Sequence, residues 1–174
     1  MRLTQVLLAS IPLLVGAPSP AVALTCWAPP VAAPVVEGFD APDCPFCAGH
    51  RGIEYGPTLG VAVHAVDGGV VDFAGPVAGI RYVAVIHADG RRVTYGGLRT
   101  IVVDAGTTIG AGAVVGYGGA QLLFTVRVGG DYVDPTALLG RLVRRPWLVP
   151  SDARPGRPPP SAALRCPGGA AATS

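Results

Sequence analysis

Between Gly52 and Val133 short valine-rich runs alternate with glycine-containing turns: Val61-Ala62-Val63, Val70-Val71-Asp72-Phe73, residues 82–86, Val93-Thr94-Tyr95, residues 101–103, Val114-Val115 and residues 122–126. Each run is too short for a helix, and β-branched side chains suit a pleated, half-buried surface. The runs recur at roughly 8–12 residues, with turn signals at Asp67-Gly68-Gly69, Asp89-Gly90 and Gly129-Gly130-Asp131. This spacing predicts an all-β domain, antiparallel sheets folded back on themselves as a sandwich or open barrel. One short C-terminal helix is expected over 134–139, with Asp134 as N-cap and Pro135 at the first helical position, where its missing N–H costs nothing.

The flanks read differently. One positive charge, Arg2, precedes an apolar stretch from Val6 to Val15 that is too short to span a bilayer, and small residues then lead to Ala21-Val22-Ala23. Residues 1–23 therefore read as an export signal, with the mature chain starting at Leu24. Acylation of Cys26 as a lipoprotein is the weaker reading, because Leu24 and Thr25 are bulky where small residues are wanted. After signal removal no apolar run is long enough to anchor the chain. Residues 24–42 are proline-spaced and expected to run along the sheet as an extended segment, with Val35, Val36 and Phe39 turned inward. Residues 43–145 form the expected domain. Residues 146–174 turn to Pro, Ala, Gly and Arg, including Pro158-Pro159-Pro160, and read as a flexible tail that cannot bury enough surface to fold alone.

Charge excludes some partners. A net charge of +2 with 13 basic and 11 acidic side chains gives no field that would gather nucleic acid, and 6% aromatic content offers no stacking platform for single strands. The four cysteines, Cys26, Cys44, Cys47 and Cys166, are an even set in a chain bound for an oxidising compartment, so disulfides are expected. Three pairings are open. Cys44–Cys47 with Cys26–Cys166 is preferred, because the second bridge would tie both loose ends together. A redox role for Cys44-Pro45-Phe46-Cys47 would need a βαβ context that the pattern lacks.

The chemistry-bearing stretch is Gly49-His50-Arg51-Gly52-Ile53-Glu54, followed by Gly60-Val61-Ala62-Val63-His64-Ala65 and Gly69-Val70-Val71. With Val85-Ile86-His87-Ala88-Asp89-Gly90, Val93-Thr94-Tyr95, the glycine rhythm from Val103 to Gly116 and Val133-Asp134-Pro135, it resembles the lysostaphin/LytM-type zinc endopeptidases, which cut peptidoglycan cross-links. Their domains open on H-R-G-[IVL]-D. The resemblance covers the whole predicted domain and implies its fold. It also implies a zinc held by the His and Asp of that motif and by the second His of a late H-x-H, with two further histidines handling protons. Three protein ligands leave one position open for a water whose pKa the metal lowers.

Carried over by position, His50 matches the first ligand and Glu54 stands where the family has Asp, a carboxylate on a longer arm. The late H-x-H falls on Gln121-Leu122-Leu123, so the third ligand position is Leu123 and one proton-handling position is Gln121. The other, in the family's Y-x-H-L, falls on Gly97 of Tyr95-Gly96-Gly97-Leu98. Two ligand types of three remain and neither catalytic histidine. His50 and Glu54 are expected as a remnant, hydrogen-bonded to each other, with no cofactor required and zinc as the one candidate. His64 and His87 read as polar residues on strand faces. Cys44-x2-Cys47-x2-His50-x3-Glu54 also places four metal-capable side chains together, although paired thiols would remove two of them.

The functional expectation is a secreted, monomeric, LytM-like domain, catalytically degenerate, that binds peptidoglycan or a cell-wall hydrolase. An active zinc endopeptidase with a rearranged site and a disulfide-stapled structural envelope protein are the alternatives.

Overall fold

The computed structural model describes residues 26–44, 46–143 and 162–167. The expected export signal and most of the expected tail lie outside these residues. The chain runs through β1 (Val35–Glu37), β2 (Ile53–Tyr55), β3 (Ala62–His64), β4 (Gly69–Val77), β5 (Ile80–His87), β6 (Arg92–Ile101), β7 (Thr108–Ile109), β8 (Val114–Val128) and β9 (Asp131–Val133). These nine strands make one antiparallel sheet in the order β1-β2-β8-β6-β5-β4-β7, with β3 and β9 paired to the two ends of β8. Strand β8 is the organiser, since β2, β3, β6 and β9 all hydrogen-bond to it.

The alternation of side chains along the strands builds the core. Val93 and Tyr95 of β6, Val83 and Val85 of β5, and Leu122, Phe124 and Val126 of β8 are fully buried, and the Tyr95 and Phe124 rings meet at 5.6 Å between centroids. The Tyr95 hydroxyl accepts the Val66 N–H at 2.9 Å. Burial pushes the Tyr55 phenol up to about 12 and raises that of Tyr95 further, because neither site solvates a phenolate.

The structure departs from the sequence pattern in four places. The runs at 114–115 and 122–126 belong to one fifteen-residue strand. Glycines 116, 118 and 119 between them do not turn the chain. They let neighbouring backbone come close, as at Gly118, whose Cβ would lie 2.5 Å from the Thr58 carbonyl oxygen. Val35 and Val36 are not turned inward. They sit on the edge strand β1 and are half exposed, whereas Trp27 and Val31 from the same segment enter the core and Phe39 packs partly against it. The expected helix is a single 3-10 turn, Pro135–Ala137, with Asp134 accepting the Thr136 N–H at 2.8 Å.

Finally, part of the region read as tail is built into the fold: β10 (Arg141–Val143) pairs with β11 (Ala163–Arg165), and Cys166 bonds to Cys26. Trp27 clamps this end by donating its N–H to Leu138 and accepting that of Gly140, both at 2.8 Å. The second disulfide joins Cys44 to Cys47, so the pairing is the one that ties the chain ends together.

Candidate functional site

Sheet register brings two of the sequence-predicted positions, Glu54 and Leu123, into one row. Glu37 of β1 faces Glu54 of β2, Glu54 faces Leu123 of β8, and Leu123 faces Gly96 of β6. On β2, Ile53 and Tyr55 are buried and the less buried Glu54 between them points to the opposite face. On β8, Leu122 and Phe124 are buried, which leaves Gln121 and Leu123 on the side of Glu54.

His50 stands just ahead of β2 and is fixed through its backbone. Its N–H donates to the Asp40 carbonyl and its own carbonyl accepts the Asp40 N–H, both at 2.8 Å. Its Nδ1 lies 2.8 Å from the Gly38 carbonyl oxygen. A carbonyl can only accept, so Nδ1 carries a proton, and in the neutral ring the lone pair is on Nε2. The expected His50–Glu54 hydrogen bond is therefore replaced by one to Gly38, because the segment after β1 lies alongside His50.

The other matched positions offer no such groups. Leu123 has no lone pair. Gly96 beside it is covered by the Tyr82 ring, which a Cβ there would approach to 2.6 Å. Gly97 has φ +79°, a region that side chains with a Cβ avoid, and its Cβ would lie 2.6 Å from the Gln121 carbonyl oxygen. The position that would carry a proton-handling histidine thus has neither a side chain nor room for one. Gln121 is exposed.

The remaining histidines lie elsewhere. His64 is exposed on β3, its Nδ1 bonded to the Gly112 carbonyl at 2.9 Å. It pairs with Val114, at the far end of β8 from Leu123, up to roughly 30 Å away at the rise of a strand. His87 is not on an open strand face, as expected, but buried: Nδ1 meets the Gly68 carbonyl at 2.8 Å, the ring packs on Trp27 at 5.5 Å, and Nε2 has no partner. The Cys44-x2-Cys47-x2-His50-x3-Glu54 cluster is also removed as a metal site, since both thiols are consumed in a disulfide.

The family's zinc set does not fit these residues, because its third position is aliphatic. A different trio converges. One ligand atom each from Glu37, His50 and Glu54 lie within 4.8 Å of one another. Sequence reasoning missed Glu37, which precedes the recognisable motif; the β-branched pair Val35-Val36 beside it was the available sign of a strand that could pair with β2. A cleft of about 950 Å³ lies away from this row, between Pro29–Val35 and the β10–β11 pair, and is largely apolar.

Comparison with known proteins places these observations. The model of peptidase family M23 matches residues 48–135. An uncharacterized protein of Mycobacterium tuberculosis, Rv2891, is 35% identical over 118 residues, covering 60% of this chain and 47% of the relative. The chain thus spans about half the length of the curated relatives it matches. Among solved structures, Csd3 of Helicobacter pylori superposes with a TM-score of 0.60 at 22% identity, over 66% of this chain and 34% of that one. The catalytic domain of lysostaphin from Staphylococcus simulans superposes with a TM-score of 0.53 at 21% identity, over 59% of this chain and 89% of that one.

Proposed function

The chain belongs to peptidase family M23, and from that membership we propose that it is an exported cell-wall domain that has lost hydrolysis and uses the sheet face carrying this row to bind peptidoglycan. The carrying observation is that the row Glu54–Leu123–Gly96, with Gln121 and Gly97 at the positions matching the family's proton-handling histidines, offers no group to move a proton. Peptide hydrolysis by a zinc-bound water needs three protein ligands and a group to move the proton. Neither Gln121 nor Gly97 supplies the second requirement, and His64 and His87 are held elsewhere. The sheet face that carries the row does not depend on metal ligands for its shape, because its strands are fixed by core residues on their other face.

Export is supported by the two disulfides, which persist in oxidising compartments. A rearranged zinc endopeptidase is the second reading, favoured by the carboxylate that Glu37 adds beside His50 and Glu54; the absence of a proton-handling side chain in the row weighs against it. Sedimentation with purified cell walls tests the proposal. Co-sedimentation of the oxidised protein, competed by soluble stem peptide, is expected. A protein that stays in the supernatant and leaves the rate of added wall hydrolases unchanged overturns it, and leaves the structural envelope role as the explanation.

A further inference from the structure

Glu37 lies upstream of the family match, on a strand that reaches β2 from the side opposite β8. The segment that carries it does three things at once. It places a carboxylate across from Glu54 by register, it bridges backbone to backbone between Asp40 and His50, and through the Gly38 carbonyl it sets the tautomer that leaves the His50 Nε2 lone pair available. Glu37, His50 and Glu54 then present ligand atoms within 4.8 Å of one another. Among the described residues neither carboxylate is ion-paired with a basic side chain. Like charges facing each other across paired strands destabilise the pairing, and a bound cation reverses the sign of that term.

We propose that Glu37, His50 and Glu54 form a divalent transition-metal site in which β1, rather than β8, supplies the third ligand. One imidazole and two carboxylates suit Zn²⁺ in preference to Ca²⁺ or Mg²⁺, which take oxygen ligands in larger numbers. The backbone carbonyl that receives the His50 Nδ1–H is the outer-shell partner such sites use to orient a ligating ring. The site's role is to clasp the edge strand to the sheet: the metal joins residues 37 and 54 across the β1–β2 pair, which is only three residues long on each side. The site stands apart from wall binding, since either property can be present without the other.

The test is titration of the chelator-stripped, disulfide-intact full chain with Zn²⁺ and with Co²⁺, read by calorimetry and by Co²⁺ visible absorption. One equivalent is expected, with a raised Tm on Zn²⁺ addition. Glu37→Gln lowers affinity by at least about a hundredfold, more than loss of an outer-shell partner costs, and His50→Ala does the same. Gln121→Ala, on the same face, leaves affinity unchanged. Because Glu37 is exposed, Glu37→Gln keeps the wild-type Tm in chelator, which separates lost binding from lost folding. No binding at tens of micromolar metal, or equal affinity in Glu37→Gln, overturns the proposal.

Discussion

Gly97 is the residue whose replacement most sharply separates backbone architecture from lost chemistry. It sits where the β6–β8 register shifts, between Gly96 and Leu98, at φ +79°, and a Cβ there would lie 2.6 Å from the Gln121 carbonyl oxygen. Gly119 approaches from the other strand, its own Cβ position 2.5 Å from the Gly97 carbonyl oxygen. Gly90, in the turn after β5, has nearly the same φ of +81° and nothing within 4 Å. Alanine at Gly90 therefore costs the left-handed conformation alone, about 1 kcal/mol. Alanine at Gly97 costs that plus the separation of two backbones that cannot rotate away, for a total of about 2–4 kcal/mol. At roughly 2–4 °C per kcal/mol for a chain of this size, Gly97→Ala should melt about 4–16 °C below wild type, and Gly90→Ala only a few degrees below. Urea unfolding of the oxidised proteins, with the m-values compared, reads the difference directly. Gly97→His should be at least as unstable as Gly97→Ala and gain no peptide hydrolysis. If Gly97→Ala is no less stable than Gly90→Ala, the close approach of β6 and β8 is not what excludes a side chain there.

Other consequences follow from the core and the bridges. Replacing Cys26 and Cys166 by serine opens a sequence separation of 140 and should cost about 4–5 kcal/mol in the chain-entropy model, whereas the same change at Cys44 and Cys47, separated by 3, should cost far less; urea midpoints decide between them. Tyr95→Phe leaves the buried Val66 N–H unpaired and should cost about 1–3 kcal/mol by the same measurement. Tyr55 has its phenol raised to about 12 by burial, so the folded state holds a proton that the unfolded chain releases from pH 10 upward. Stability should be flat with respect to this group below pH 10 and fall as pH rises toward 12, and Tyr55→Phe should make that fall shallower; a fall of equal steepness in the variant would rule the group out.

Much of the sheet was legible because its strands obey a two-residue period against a single core. Valine-rich runs marked β3 to β6, and Asp134-Pro135 marked the capped turn. What misled was glycine. Gly116, Gly118 and Gly119 signal a break when read locally, but they serve the passage of one long strand past close neighbours, a property of tertiary contact that no local pattern carries. The inward turn expected of Val35 and Val36 failed for a related reason: edge strands keep β-branched residues even where nothing covers them. In the site, His50, Glu54, Gln121 and Leu123 were locatable through the family resemblance, by their positions in its motifs. Glu37 was not, since its proximity to them depends on which strand pairs with β2 and in what register. The burial of His87 likewise follows from Trp27, sixty residues earlier in the chain, folding across it.

Analysis of wall fragments tests most directly whether the M23 fold is retained without its hydrolysis. Purified peptidoglycan is incubated with the full, disulfide-intact chain and Zn²⁺, and the soluble products are followed by new amino groups and by mass spectrometry. Protein bound to the insoluble wall is expected, with amino-group release no greater than in buffer. Release of cross-link fragments above that background, abolished by His50→Ala, would contradict it.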